Sequence, residues 1–217
     1  MQKTIVLTFL LLALLPAAPA AAQAQDVVTV GNGSGGAFST VDVPVFIRDV
    51  SGTPLGIDQP PGSKIQSYSL KVDYSPASAV QSVTFTRAGI TQSLTPTFES
   101  NPSGPGTISL LDTFQESTNP IPFTLNGAAP GNQVANLHFT LSAAAIPGGT
   151  ITLTLDPALT QLTDQAGSGT TKETTTAGNL ALVNGAISIT EPIPAMSTWM
   201  LMLLAAAMAF IALKIRM

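Results

Sequence analysis

Few residues in this 217-residue chain could carry chemistry: it has one histidine, His138, and no cysteine. One histidine cannot make the paired-histidine motif of a zinc peptidase, and there is no G-x-S-x-G elbow to present a nucleophilic serine. Without cysteine there is no thiol nucleophile, no thiolate metal site and no disulfide. A glycosidase needs only two spaced carboxylates, for which Asp73, Glu99, Asp112, Glu116, Asp156 and Asp164 are nominal candidates. Nothing in the sequence pairs any two of them. Asp156 and Asp164, with the carbonyls of TDQAG, could hold a structural calcium ion, a hard cation that takes loop oxygens, although the spacing is not that of an EF-hand. His138 lies between Asn136 and Thr140 on the polar side of VANLHFTL, and reads as a surface residue rather than a general base or metal ligand. The expectation is a protein that is not an enzyme and has no resident cofactor.

The segments that must position these residues alternate apolar and polar at period two, which puts every second side chain on one side of a sheet. In TVDVPVFIRDV the inward set is Val41, Val43, Val45 and Ile47, and the outward set is Asp42, Pro44, Phe46 and Arg48. SYSLKVDY turns Tyr68, Leu70, Val72 and Tyr74 inward and Ser69, Lys71 and Asp73 outward. TITLTLD sets Ile151, Leu153 and Leu155 against threonines, and VANLHFTL sets Ala135, Leu137, Phe139 and Leu141 against Val134, Asn136, His138 and Thr140. With shorter runs at 27–30, 82–86, 107–111 and 186–189, about eight or nine strands are expected. Each has one wet face, which points to antiparallel sheets. Gly- and Pro-rich connections such as GNGSGG, QPPGS, NPSGPG and IPGG separate them, and no useful amphipathic helix intervenes. The fold expected is an all-β sandwich in one domain, residues 25–190, with the Ser/Thr/Gly-rich stretch 163–179 as a mobile loop before the closing strand.

The two ends read as addresses. MQKTIVLTFLLLALLPAAPAAAQAQ has a basic start at Lys3, an apolar run and a small-residue site at Ala22 and Ala24, the plan of a secretory signal peptide (residues 1–24) cleaved before Gln25. At the far end, 191–217, the stretch Ala195–Leu213 is broken only by Ser197 and Thr198 and is followed by Lys214 and Arg216. That is long enough for one transmembrane helix, with basic residues on the cytoplasmic side and Trp199 near the outer boundary. Removing both ends takes Lys3, Lys214 and Arg216, so five basic residues remain against 12 acidic. Nucleic acid is thereby disfavoured as a partner.

The tail resembles the bacterial carboxy-terminal sorting signals of the PEP-CTERM type, in the variant beginning Ile-Pro-Thr-Leu-Ser-x-Trp-Gly. Ile193, Pro194, Ser197 and Trp199 match, and Lys214 and Arg216 supply the basic end, while Ala195, Met196 and Met200 depart from the pattern. The resemblance implies a Gram-negative-type envelope and a membrane sorting peptidase that cleaves near the motif and passes the domain to the surface or beyond.

Across most of the remaining chain, VVTVGNGSGGAFSTVDVPVFIRDV, IQSYSLKVDYSPASAVQSVTF, PGNQVANLHFTLSAAAIPGG and NGAISI resemble in order the cohesin domains of bacterial extracellular assemblies. The family's Tyr-Asp-Pro stands here as Tyr74-Ser75-Pro76. The resemblance implies a jelly-roll sandwich that binds a dockerin-like protein module or serves a cell-surface carbohydrate system, and it carries over no contact residue. Tyr68 and Tyr74 fall on the apolar side and only Phe46 on the wet side, so aromatic platforms for sugar are scarce. Two readings stand: a protein-binding surface module, favoured by a flat mixed patch on a sheet face, and a polysaccharide-binding or structural matrix component, favoured by an aromatic stripe.

Overall fold

A computed structural model of the protein describes residues 23–164 and 171–191, together with Met202. The expected cleavage residue Ala22, the sorting residues Ile193, Pro194, Ser197 and Trp199, and the basic pair Lys214 and Arg216 lie outside the described residues. No helix among the described residues is long and apolar enough to cross a membrane.

Fourteen strands lie among the described residues: β1 Asp26–Val30, β2 Asn32–Gly35, β3 Thr40–Arg48, β4 Ser67–Ser75, β5 Val80–Arg87, β6 Phe98–Ser100, β7 Ser103–Gly104, β8 Thr107–Thr113, β9 Asn132–Leu141, β10 Thr150–Leu155, β11 Gln161–Thr163, β12 Lys172–Thr174, β13 Leu180–Val183 and β14 Gly185–Ile189. They form two sheets. The first runs β13-β1-β3-β9-β5. The second runs β12-β11-β4-β10-β14-β2, with β8 on the free side of β4 and β6 and β7 on β8. The inward residues of β3, Val41, Val43, Val45 and Ile47, are buried against Leu70, Val72, Ile108, Leu110, Ile151 and Leu153 of the second sheet in one core. β-Branched residues dominate these inward positions because they pack well on a pleated surface. At the centre the Tyr74 and Phe139 rings meet edge to face, centroids 5.5 Å apart, which ties one sheet to the other.

The structure departs from the sequence reading in three places. Val134, expected outward, is fully buried beside Ala135. The β3–β9 register shifts between Val45 and Phe46, whose partners are Ala135 and Gln133. Val134 is thus the extra residue of a β-bulge, which turns two successive side chains inward. Second, the stretch expected as a mobile loop contains β12 and the last residue of β11, and Glu173 within it is fully buried. Third, the sheets are not purely antiparallel: β1 pairs with β13, and β2 with β14, in parallel.

Those parallel pairs have one cause. Both ends of the domain cross from the first sheet to the second, β1 to β2 at Gly31 and β13 to β14 at Asn184–Gly185, and they cross side by side. A Cβ on Gly185 would overlap the carbonyl oxygen of Gly31 and lie 2.6 Å from that of Val30. Backbone meets backbone here, so no side chain can swing away to make room. Gly185→Ala should therefore lower unfolding stability in urea by about 2–4 kcal/mol, the cost of overpacking against a rigid neighbour. Gly104→Ala, whose Cβ would meet only Thr107 Cγ2 at 3.8 Å, should change it by less than about 1 kcal/mol. Equal midpoints for the two variants would contradict this account of the crossover.

Candidate functional site

The lone histidine has partners. β9 lies between β3 and β5, so His138 faces Asp42 on one side and the Thr84–Thr86 stretch on the other. Its Nδ1 is 2.6 Å from Asp42 Oδ1 and its Nε2 is 2.8 Å from Thr86 Oγ1. Carboxylate, imidazole and hydroxyl in this order can activate a nucleophile. Here they lie along an open sheet face: neither the groove of Pro61, Gly62 and Gln115–Ser117 nor that of Tyr74, Val80–Val83 and Ser103–Pro105 includes any of them. Acyl transfer also needs donors aimed at an oxyanion and a space that excludes water. The row therefore serves as a cross-strand polar ladder.

Two of the candidate carboxylate pairs are brought together. Glu99 on β6 is the register partner of Asp112 on β8. Asp112 is fully buried, takes the Tyr68 hydroxyl on Oδ2, and is pushed up to about 6, chiefly by burial. Substrate cannot reach it, and Glu99 is held by Arg87 Nε at 2.7 Å. Asp73 and Asp156 share Lys71, at 3.4 and 3.0 Å. Lys71 holds Asp156 below the usual carboxylate range, and the Ala158 N–H adds to this. Asp156 is thus committed to Lys71, and Asp164 Oδ2 accepts from the Thr171 N–H. Gln165, Ala166 and Gly167 of the expected calcium site lie outside the described residues. Glu116 accepts from the Gly62 N–H.

The densest charge in the interior is elsewhere. Asp26, Asp49 and Glu173 are each fully buried around the loop 50–58. One oxygen of each accepts a loop amide at 2.8 Å: Asp26 Oδ1 from Val50, Asp49 Oδ2 from Ile57 and Glu173 Oε1 from Leu55. The second oxygen of each takes no N–H or hydroxyl donor. Asp26 and Glu173 pair with one another, which two carboxyl groups can do only by retaining a proton. Burial is the largest cause pushing all three above the usual carboxylate range; the neighbouring Glu173 adds to it at Asp26, and Asp58 adds to it at Asp49. Oxygen donors suit calcium, but among the described residues no three such side chains converge as a metal-holding group. The cluster pins the loop.

Sequence reasoning missed this cluster, though part of its signal was present. Continuing the inward phase of Val41–Ile47 by one step reaches Asp49, and the phase of Val28 and Val30 runs back to Asp26. Glu173 had no such signal, because β12 has only three residues and no apolar alternation.

The wet face of the second sheet is the open surface. Ser69, Lys71 and Asp73 of β4, Ser109 and Leu111 of β8, and Thr150, Thr152 and Thr154 of β10 project there, and Phe98 of β6 stands exposed at its margin. On the first sheet the outward polar groups are largely bonded to one another, as Asp42, His138 and Thr86 are, and as Gln133 is to Asn136 at 2.7 Å. On the second, no hydrogen bond among the described residues engages the Thr150 or Thr154 hydroxyl. Phe46, expected outward, is half-buried, and neither face carries an aromatic stripe.

Because burial pushes Asp26 up to about 9 and shifts Asp49 and Glu173 in the same direction, the native state binds protons more tightly than the unfolded chain, and the stability this contributes is complete below the ordinary carboxylate pKa. It is lost as pH rises through the raised native values. Urea midpoints should therefore fall between about pH 5 and about pH 8. Asp26→Asn keeps the acceptor for Val50 and offers Glu173 an N–H in place of the retained proton. It should flatten that slope and gain about 1–3 kcal/mol at about pH 8. A wild-type midpoint that rises over this range would show that the carboxyls are ionised in the native protein.

Comparison with known proteins bears on the fold. No family model matches the sequence, and no curated protein does. Among solved structures, the protein is similar to CaCohA2, solved in a complex with a CaDoc partner, at 26% identity and TM-score 0.52, covering 76% of this chain and 100% of the other. CaCohA2 of Clostridium acetobutylicum, solved alone in solution, matches at 23% identity and TM-score 0.51, covering 79% and 95%. The third cohesin of ScaC from Acetivibrio cellulolyticus, solved with the ScaB dockerin, matches at 19% identity and TM-score 0.53, covering 77% and 100%. The domain is a cohesin-like β-sandwich.

Proposed function

We propose that this protein is an exported surface module that binds another protein, of dockerin-like kind, through the wet face of its second sheet. The observation that carries the reading is the character of that face: rich in short hydroxyl side chains not spent on one another, with the Lys71–Asp73–Asp156 charges among them and Leu111 and Phe98 toward one side. Such mixed patches suit protein partners, whereas sugar-binding surfaces commonly present aromatic platforms. The similarity to cohesins solved with dockerins supports the same class of partner.

Export and sorting belong to this proposal. The amino-terminal signal would deliver the domain across the inner membrane, and the tail would hold it there until a sorting peptidase acts at the motif around Ile193, Pro194, Ser197 and Trp199. The delivered protein would then begin at Gln25 and lack Met200–Met217.

The test is affinity capture by residues 25–190 from extracellular material of the source organism, with proteins and polysaccharides both identified. The expected outcome is a discrete protein whose affinity drops at least about ten-fold with Lys71→Glu and is unchanged with Thr84→Glu on the opposite sheet, as for a charge at the centre of an interface. Retention of polysaccharide alone, equally by both variants, would overturn the reading in favour of a matrix component.

A further inference from the structure

The two most exposed large hydrophobic side chains among the described residues are Phe38, at 73%, and Ile146, at 72%. They stand at the same end of the sandwich. Phe38 lies in the turn between β2 and β3, where its N–H bonds to Leu141 O at the end of β9. Ile146 lies in the loop between β9 and β10. That loop is stitched to the last described strand: the Gly148 N–H bonds to Ile189 O and the Ile189 N–H to Gly149 O. Thr190 in turn donates to Gly35 O, just before the Phe38 turn. The two apolar residues therefore flank the point where the chain leaves the domain at Glu191.

Phe38 is held in the left-handed backbone region, φ 64. For a bulky non-glycine residue this conformation costs on the order of 1 kcal/mol, and an aromatic ring left in water returns nothing to folding. Glycine would suit the fold better at this position. A strained residue kept with its apolar side chain outward points to a contact made outside the domain.

The length of the following chain identifies that contact. The apolar stretch Ala195–Leu213 starts four residues after Glu191, and four residues reach at most about 14 Å. Two of the residues between are Pro192 and Pro194, which favour a stiff extended path. If the stretch crosses a bilayer, the end of the domain that carries Phe38 and Ile146 is held at the bilayer surface. The two loops, GAFST at 36–40 and SAAAIPGG at 142–149, contain no charged residue, so nothing in them resists entry into the headgroup boundary.

We infer that Phe38 and Ile146 form a lipid-contacting tip that seats the sandwich on the outward face of the membrane its own tail crosses, and so sets how the domain stands while it is anchored. The inference rests on reading the tail as a span. The tip carries no basic residue, so the contact should need no anionic lipid and should persist in high salt.

The absence of cysteine allows single-site labelling of the full chain. With the full chain in phosphatidylcholine nanodiscs, fluorophores are placed at Ile146→Cys, and for comparison at Ser51→Cys beyond the opposite end of β3. Quenching by headgroup-nitroxide lipid is then read. The expected result is at least three-fold stronger quenching at 146 than at 51, unchanged at about 1 M salt. Adding Phe38→Gly should at least halve the quenching at 146 while the far-UV circular dichroism stays the same. Equal quenching at 146 and 51, or no effect of Phe38→Gly, overturns the tip. Whether the tail is inserted is read separately, as resistance of the chain to alkaline carbonate extraction from vesicles. A chain that is extracted removes the span and the tip together, whereas a retained chain with equal quenching removes the tip alone.

Discussion

The sandwich depends on the pairing of the domain's first and last strands. β1 lies parallel to β13 in one sheet and β2 parallel to β14 in the other, and both crossings pass through one place where Gly185 touches the backbone of Gly31. Contacts between residues some 150 positions apart are costly to form, because the loop between them must close first. Once formed they lock both sheets at once, since each end contributes a strand to each layer. The same arrangement sets direction. The chain enters at Asp26, at the end holding the acidic cluster and the 50–58 loop, and leaves at Glu191, at the end holding Phe38 and Ile146. The described domain thus begins and ends at opposite ends of the sandwich.

Much of this was legible in the sequence because period-two alternation is a direct image of a half-buried strand. The inward sets of β3, β4 and β10 are the core. What failed had local causes. The β9 bulge depends on the partner strand, so nothing in VANLHFTL alone distinguishes Val134 from an outward residue. Parallel pairing of the ends is a long-range fact invisible to any window. β12 was taken for loop because KET has no apolar pattern; its role is polar, with Glu173 closing the acidic cluster beneath Leu55. The candidate carboxylates were read without partners, and the structure supplies these: Arg87 for Glu99, Tyr68 for Asp112 and Lys71 for Asp73 and Asp156.

The charges divide into an interior and an exterior role. Inside, Asp26, Asp49 and Glu173 receive amides from a loop that has no regular structure of its own, so hydrogen bonds hold the loop alongside the buried side chain of Leu55. Keeping protons on buried acids costs less than keeping their charges there. Outside, His138 and Lys71 each tie neighbouring strands, but with different results for the surface. On the first sheet the polar groups satisfy one another along the row, while on the second the charge centre is ringed by hydroxyls open to a partner.

The central claim is that this second face, and not the first, is where a protein partner docks. A photoreactive amino acid at Thr152, in the middle of β10 with its side chain outward, reports on that contact directly when the domain is irradiated in extracellular material of the source organism. The account predicts one discrete protein adduct from position 152 and none from position 84 on the opposite sheet. Adducts from position 84 alone would contradict it.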